Sequence, residues 1–309
     1  MKYKIALILP YFGKWPEWID LFFYSCLKNK EIDFFIYTDC DKPKIIANAE
    51  NIKYHKLSFK EYCAFVSNRL KISFYPEHTY KLCALKPFYG YLHKNELTGY
   101  AFWGFGDIDV VWGRIRHFYT DEILDGADVL STHEDHVSGH LLLLRNNEKF
   151  CNLCFKIKNW EDRLTSEELC GLDESDFSDL LMPEMKLAQR MRMIFRRLTK
   201  WDKEWYVYIK IIKFIKLLTG YKKRYYFKEQ FTTPVLFDNM TGRCDTDSEW
   251  IYKNGRVINE KTSKEIIYLH YMSYKKNIFF EDSCWDNNFC HLSDSFNYVH
   301  IGKKGIYSL

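Results

Sequence analysis

Hydrophobic and polar positions alternate along the first seventy residues in a pattern that predicts strands interleaved with helices. Residues 3–10, YKIALILP, form a short continuous apolar run closed by Pro10 and Gly13, which reads as a buried strand. Residues 15–29, WPEWIDLFFYSCLKN, then place Trp18, Leu21, Phe22 and Leu27 at helical spacing. A second apolar strand, IDFFIYTD, spans 32–39 and ends in Asp39. A third spans 52–58, and a helical stretch runs from about Phe59 to Leu70. Apolar strands separated by helices imply a mostly parallel sheet covered on both faces, an α/β fold. In such sheets ligands sit beyond the carboxyl ends of the strands, here Pro10–Gly13 and Thr38–Asp41. Neither G-x-G-x-x-G nor G-x-x-x-x-G-K-[ST] occurs, so dinucleotide binding and P-loop chemistry lose their main support.

Farther along, a helix is expected near 80–95. After it, the aromatic strand that begins at Tyr100 runs into Asp107-Ile108-Asp109, followed by the strand-like VVW and Gly113. Two carboxylates two residues apart on an extended chain point to opposite faces. A bend supplied by Gly106 would turn both toward one hard cation, and the alternative is a solvated turn. Residues 127–146 read as a strand, a polar loop with three His and two acids, and a strand of four Leu. A helix over 147–164 and the acidic LDESDFSDLL at 172–181 come next. The chain closes with WIYKNGRVI at 250–258, where Asn254-Gly255 signals a hairpin, then EIIYLHYMSYKK at 265–276 and an aromatic tail. No internal repeat is visible.

Composition narrows the class only a little. With 309 residues, 47% hydrophobic and 28% charged, the chain has room for one large domain or a domain with an insertion. The longest run without Asp, Glu, Lys or Arg, Leu97–Gly106, is half of the ~20 residues a spanning helix needs. The amino terminus lacks the small-residue cleavage site of a usual secretory signal. The ten cysteines are scattered, with one C-x-x-C at Cys151 and Cys154, so reduced and mostly buried thiols in a cytoplasmic protein are expected.

Charge is unevenly placed. Between Met185 and Lys228 stand 14 Lys and Arg against two acids, Asp202 and Glu204. This block therefore carries +12, and the rest about −8 of the net +4. Within it, Lys210, Lys213 and Lys216 fall in a helical sector of roughly 120°, with Val207, Ile211, Phe214 and Leu218 on another face. A basic amphipathic helix suits an anionic membrane surface. It equally suits a solvated face packed on its own domain. No nucleic-acid motif accompanies the charge, so no nucleic-acid partner is expected.

On LPYFGKWPEWIDLFFYSC, IDFFIYTD, YKLCALKPFYGYL, WGFGDIDVVWG and YLHYMSYKK, the chain resembles GT-A-fold glycosyltransferases. More closely, it resembles a little-characterised bacterial family found with surface and capsular polysaccharide synthesis. The resemblance covers most of 5–145 and 250–276. It implies a GT-A nucleotide-sugar-binding core over 1–184, a basic helical region over 185–230, and a part at 231–309 that completes the core and metal site. It further implies that Asp107 and Asp109 hold Mn²⁺ or Mg²⁺ against the diphosphate of a UDP-sugar, with His270 completing the metal site. By itself, a His in an aromatic strand reads equally as a satisfied core residue. Lys275 or Lys276 would reach the phosphates, and Lys86 would lie near the donor. Tyr11, Phe12, Gly13 and Asp39 would meet base and ribose, and His140 the donor sugar or acceptor. Two acid clusters compete for the catalytic role, Glu134 with Asp135 and Asp173 with Glu174, the second being preferred; inverting and retaining chemistry both stay open. The expected activity moves a hexose, galactose or glucose, from a UDP-sugar to a lipid-linked oligosaccharide in bacterial surface polysaccharide synthesis. The enzyme would be cytoplasmic and peripheral to the inner membrane face, docked through 185–228. The alternatives are a metal-dependent phosphoesterase using Asp107, Asp109 and the His133–Asp135 loop, and a non-catalytic scaffold that binds membrane or nucleic acid.

Overall fold

The computed structural model describes residues 2–133, 136–168, 170–182, 210, 214, 225–227, 248–272, 274–275, 285, 289–292 and 296–308. The chain forms two compact units. Met1–Tyr62, Gly106–Thr120 and Gln230–Leu309 make the first, and Cys63–Phe105 with Asp121–Glu229 make the second. The architecture is mixed α/β, with a mixed sheet flanked by helices, as the alternation of apolar runs predicts. Of the basic block, only Lys210, Phe214 and Tyr225–Phe227 fall among the described residues; Lys210 and Phe214 are helical and exposed. Among the described residues no helix is long and apolar enough to cross a membrane.

In the first unit, β1 (Ile5–Pro10) leads through α1 (Ile19–Leu27) to β2 (Ile32–Thr38) and β3 (Ile52–Lys56); α2 (Phe59–Leu70) follows, and from Cys63 on it belongs to the second unit. Ile5–Leu9 are all buried, as expected of a strand covered on both faces. β1 pairs parallel with β2 from Ile5↔Ile32 to Pro10↔Tyr37, and β2 with β3 from Phe34↔Ile52 to Thr38↔Lys56. Two asparagines tie the end of α1 to the segments beside it. Asn51 Nδ2 donates to Cys26 O, Asn29 O and Ile32 O, and Asn29 Nδ2 donates to Ser25 O at 2.9 Å and Gly113 O at 2.8 Å. Ser58 and Glu61 start α2 with reciprocal bonds: Ser58 N–H donates to Glu61 Oε2 at 2.7 Å, and Glu61 N–H to Ser58 Oγ at 3.2 Å.

The helix expected near 80–95 is instead a 3₁₀ stretch, Thr79–Phe88, followed by one α turn, Tyr89–Leu92. Pro87 lies inside it and has no N–H to continue an α ladder. The stretch at 147–164 is likewise broken into Glu148–Cys151, the 3₁₀ turn Leu153–Lys156 and Trp160–Thr165. Asn152 and Asn159 fall at the breaks, Asn159 in the left-handed region at φ 53°.

Three more strands bear on the site. β4 (Phe102–Gly106) lies in the second unit except for Gly106, and β5 (Val110–Trp112) belongs to the first. In the second unit β6 (Val129–Ser131) pairs antiparallel with β7 (Leu141–Arg145) and parallel with β8 (Tyr225–Phe227), in the order β4-β7-β6-β8. Leu141–Leu144 are fully buried.

The carboxyl-terminal part of the first unit is mostly antiparallel. β9 (Trp250–Lys253) and β10 (Arg256–Asn259) form the expected hairpin, with Asn254 and Gly255 at φ 49° and 80°. β11 (Glu265–Ile266) pairs with β10, whereas β12 (Tyr268–His270) leaves that sheet and pairs antiparallel with β5. The aromatic tail resolves into β13 (Cys290–His291), β14 (Tyr298–Gly302) and β15 (Gly305–Ser308). These complete a six-stranded sheet in the order β11-β10-β9-β14-β15-β13. Trp250, Tyr252, Val257, Ile266, Val299, Ile301 and Ile306 join Leu21, Val111, Leu269, Tyr271, Tyr274 and Trp285 in one buried cluster.

Candidate functional site

The D-x-D segment occupies the short turn between β4 and β5. The bend falls at Ile108–Asp109 rather than at Gly106, which ends β4. The far side of the turn is fixed by β12: Tyr268, Leu269 and His270 lie opposite Trp112, Val111 and Val110, and Tyr271 N–H donates to Asp109 O at 2.9 Å. This register brings His270 Nε2 to 3.2 Å from Asp109 Oδ2. A carboxylate oxygen of Asp107 lies within 4.8 Å of a ring nitrogen of His270. Lys275 forms a direct ion pair with Asp109 Oδ2. Burial opposes ionisation of Asp109, but His270 and Lys275 outweigh it and hold the carboxyl well below the usual range. Two carboxylates and one imidazole therefore converge on the turn, with an ammonium beside them.

Trp18, read from the sequence only as an apolar helix position, braces this turn. Its indole N–H donates to Ile108 O at 3.0 Å, and its ring lies 5.7 Å from Lys275 Nζ and 5.7 Å edge-on from Tyr271. The W-P-E-W run just after a strand end was the available signal. Neither its hydrogen bond nor its cation contact is visible in a hydropathy pattern.

At the ends of β1 and β2, Gly13 N–H donates to Asp39 Oδ1 at 2.8 Å and Cys40 Sγ–H to Gly13 O at 2.9 Å, which ties the two loops together. Tyr11 stacks on Trp15 at 5.2 Å and 7°, and its hydroxyl donates to Lys14 O at 2.6 Å. Burial raises the Tyr11 phenol, and Cys40, Asp109 and Asp39, when ionised, raise it further. Phe12 is different: it is 3% exposed and packs against Phe59 and Tyr62. Its ring belongs to the core and is not presented for stacking on a base.

The second unit holds its own cluster. Lys86 and Asp173 are 5% and 8% exposed, with Nζ 3.5 Å from Asp173 Oδ2 and donating to Gly139 O at 3.1 Å. Gly139 N–H donates to Glu174 Oε1 at 3.0 Å. A Cβ on Gly139 would stand 2.8 Å from Glu174 Oε1 and 3.3 Å from Asp173 Oδ2, so the close approach requires glycine. Asp173 and Glu174 lie on a single π-helical turn, Leu172–Asp176, clamped from behind by Arg163, whose two terminal nitrogens donate to Asp176 at 2.7 and 2.8 Å. Ser178 Oγ accepts Val137 N–H at 2.8 Å and donates to Glu174 O. His140 N–H donates to Ser138 Oγ at 3.2 Å, and its ring meets His133 edge-on at 6.3 Å. Glu134, Asp135 and Lys276 lie outside the described residues.

A model of one protein family matches residues 7–299. The chain belongs to that family of unknown function, DUF6625. No curated protein matches the DUF6625 chain in sequence. Among solved structures it is similar to the galactosyltransferase LgtC in complex with donor and acceptor sugar analogues. The identity is 13% and the TM-score 0.35, covering 55% of this chain and 71% of that one. It is similar to the apo-form glycosyltransferase GlyE of Streptococcus pneumoniae TIGR4 at 10% identity and TM-score 0.36, covering 92% and 56%. Mouse xyloside xylosyltransferase 1, in its apo form, gives 9% and 0.36, covering 87% and 97%. Likeness at these scores is partial, and what the DUF6625 chain does must be read from its own residues.

Proposed function

We propose that this DUF6625 chain is a metal-dependent glycosyltransferase that takes a hexose, galactose or glucose, from a UDP-sugar. The observation that supports it most is the β5–β12 ladder, which sets His270 beside Asp109 of the D-x-D turn and brings Lys275 to the same carboxylate. Asp107, Asp109 and His270 supply oxygen, oxygen and nitrogen, a donor set that fits Mn²⁺ or Mg²⁺. Asp109 is held ionised, as a ligand must be. When bound, such a cation neutralises the charge that develops on a diphosphate leaving group. Lys275 adds a mobile positive charge for the phosphates. Tyr11 and Asp39 offer an aromatic face and a carboxylate for base and ribose.

In transfer, the bond from the anomeric carbon to the diphosphate oxygen breaks and an acceptor oxygen bonds to that carbon. The acceptor proton must pass to a base. Asp173 and Glu174 are the proposed acid pair, with Lys86 as the buried cation that balances Asp173. The acceptor in this reading is a lipid-linked oligosaccharide of bacterial surface polysaccharide synthesis. Segment 185–228 would dock a cytoplasmic enzyme on the anionic inner membrane face.

The test is thermal unfolding with UDP, GDP or CMP, each with and without Mn²⁺, since a ligand of the native state raises the melting point by mass action. A rise with UDP that needs Mn²⁺ and disappears in Asp109→Ala is expected. No metal-dependent rise with any nucleotide would overturn the proposal. Release of inorganic phosphate from simple phosphate esters would point to a phosphoesterase instead.

A further inference from the structure

Asp109 would hold a divalent cation in the transferase reading, yet its carboxylate already meets a cation of the chain's own. Lys275 Nζ is in direct ionic contact with Oδ2, the same oxygen that faces His270 Nε2. The two partners differ in freedom. The Asp109 side chain is 14% exposed and the Lys275 side chain 28%. Asp109 also sits in a turn held by Tyr271 N–H, whereas Lys275 ends a long flexible stem. The Trp18 ring lies 5.7 Å from the same ammonium, and its own position is set by the bond to Ile108 O. An aromatic face attracts a cation without neutralising it, so Trp18 offers the ammonium a second seat within the site.

Oδ2 cannot serve an ammonium and a divalent cation at full strength together. A cation arriving alone must displace Lys275 from Oδ2 and brings no anion to replace it. A cation arriving with a diphosphate brings that anion with it.

We propose that Lys275 is an exchangeable counter-ion: it competes with a free divalent cation for Asp109 and gives way when the cation comes with a nucleoside diphosphate, whose phosphates take over the ammonium. This rests on the metal-dependent transferase reading and adds to it an order of binding, cation and diphosphate together in preference to cation first. No covalent bond changes; one ammonium passes from a carboxylate to a phosphate oxygen.

The experiment titrates Mn²⁺ into wild-type protein and Lys275→Met, following unbound Mn²⁺ by electron paramagnetic resonance, with and without UDP. Lys275→Met should bind Mn²⁺ alone more tightly, by about tenfold, and Mn²⁺ in the presence of UDP about as wild type does, so that the gain in Mn²⁺ affinity brought by UDP is about tenfold smaller. A factor of that size follows from one charge-assisted hydrogen bond, which the variant lacks both to the carboxylate of the free protein and to a phosphate of the complex. Lys275→Arg keeps the charge and should bind Mn²⁺ alone as wild type does. Ligand-free melting of each variant checks that it is folded; if Lys275→Met is not, Lys275→Gln replaces it in the same titration. Tighter binding of Mn²⁺ alone separates competition from a structural role, which would weaken both affinities, and from phosphate binding alone, which would leave the affinity for Mn²⁺ alone unchanged and weaken only that with UDP. Either of those patterns overturns the inference while the transferase reading stands. Wild-type protein that binds neither Mn²⁺ nor Mn²⁺ with UDP overturns both.

Discussion

Breaking the Lys86–Asp173 pair offers a direct test of how the second unit is held. Both side chains belong to residues more than nine-tenths buried, and their charged atoms are 3.5 Å apart. At an effective dielectric of about 20 that separation corresponds to about 5 kcal/mol of attraction, set against the cost of taking both charges out of water. The net worth of the pair is therefore small, but removing one partner strands the other. Asp173→Asn leaves a buried ammonium that retains Gly139 O at 3.1 Å, and Lys86→Met leaves a buried carboxylate. Each change should lower stability by about 3 kcal/mol, at the low end for a broken buried pair. The double variant should cost less than either single one, because no unpaired charge remains, giving a coupling of more than about 3 kcal/mol. Urea unfolding of the four proteins at pH 7 measures this. If the single losses add in the double variant, or each is below about 1 kcal/mol, the pair is not desolvated as its burial indicates and the reasoning fails. Transfer activity should be lost in all three variants, so the double variant would be no less stable than the single ones and still without turnover.

Gly139→Ala should push the Glu174 and Asp173 carboxylates aside, with a stability loss of about 1 kcal/mol and a fall in kcat of roughly 10–100-fold; unchanged kcat would show that these carboxylates need not be placed so closely. Trp18→Phe keeps an aromatic ring but removes the bond to Ile108 O, so it should cost about 1 kcal/mol in a melt and weaken binding of Mn²⁺ with UDP; unaltered binding would remove Trp18 from the site. Glu265 receives both Arg114 nitrogens at 2.8 Å and Arg256 Nε at 2.8 Å, and against the opposing effect of burial these contacts hold its carboxyl below the ordinary value of 4.5. A depressed carboxylate contributes stability above its unfolded value and loses it as pH falls through the folded one. The advantage of wild type over Glu265→Gln, under about 1 kcal/mol for guanidinium groups this exposed, should therefore be full above about pH 5 and shrink as the pH falls below about 4.5. A difference that grows on acidification would contradict the sign.

What the amino-acid order determined by itself is local. The β1 run IALILP, the β2 run IDFFIYT and the Ser58–Glu61 start of α2 are legible because periodicity, capping and strand burial depend on neighbours a few residues away. The Asn254-Gly255 hairpin follows for the same reason, since two residues at positive φ set the turn. Local reading failed where helical spacing did not distinguish one long α-helix from shorter turns: the stretch at Thr79–Phe88, with Pro87 near its end, is 3₁₀, and the one at 147–164 is interrupted at Asn152 and Asn159.

The tertiary structure alone decided which distant segments meet. Nothing in the pattern of 265–276 says that β12 leaves β11 and pairs with β5, yet that choice sets His270 against Asp109 across 161 residues. Nor does the 3₁₀ stretch around Lys86 name Gly139, 53 residues on, as the acceptor of its ammonium proton. Phe12 reads alike whether it faces a base or the core, and only packing against Phe59 and Tyr62 places it in the core. The physical reason is common to all three: hydropathy along a chain encodes which face of an element is buried, whereas the partner across that face is selected by shape, register and the satisfaction of buried polar groups, which exist only once the elements have packed.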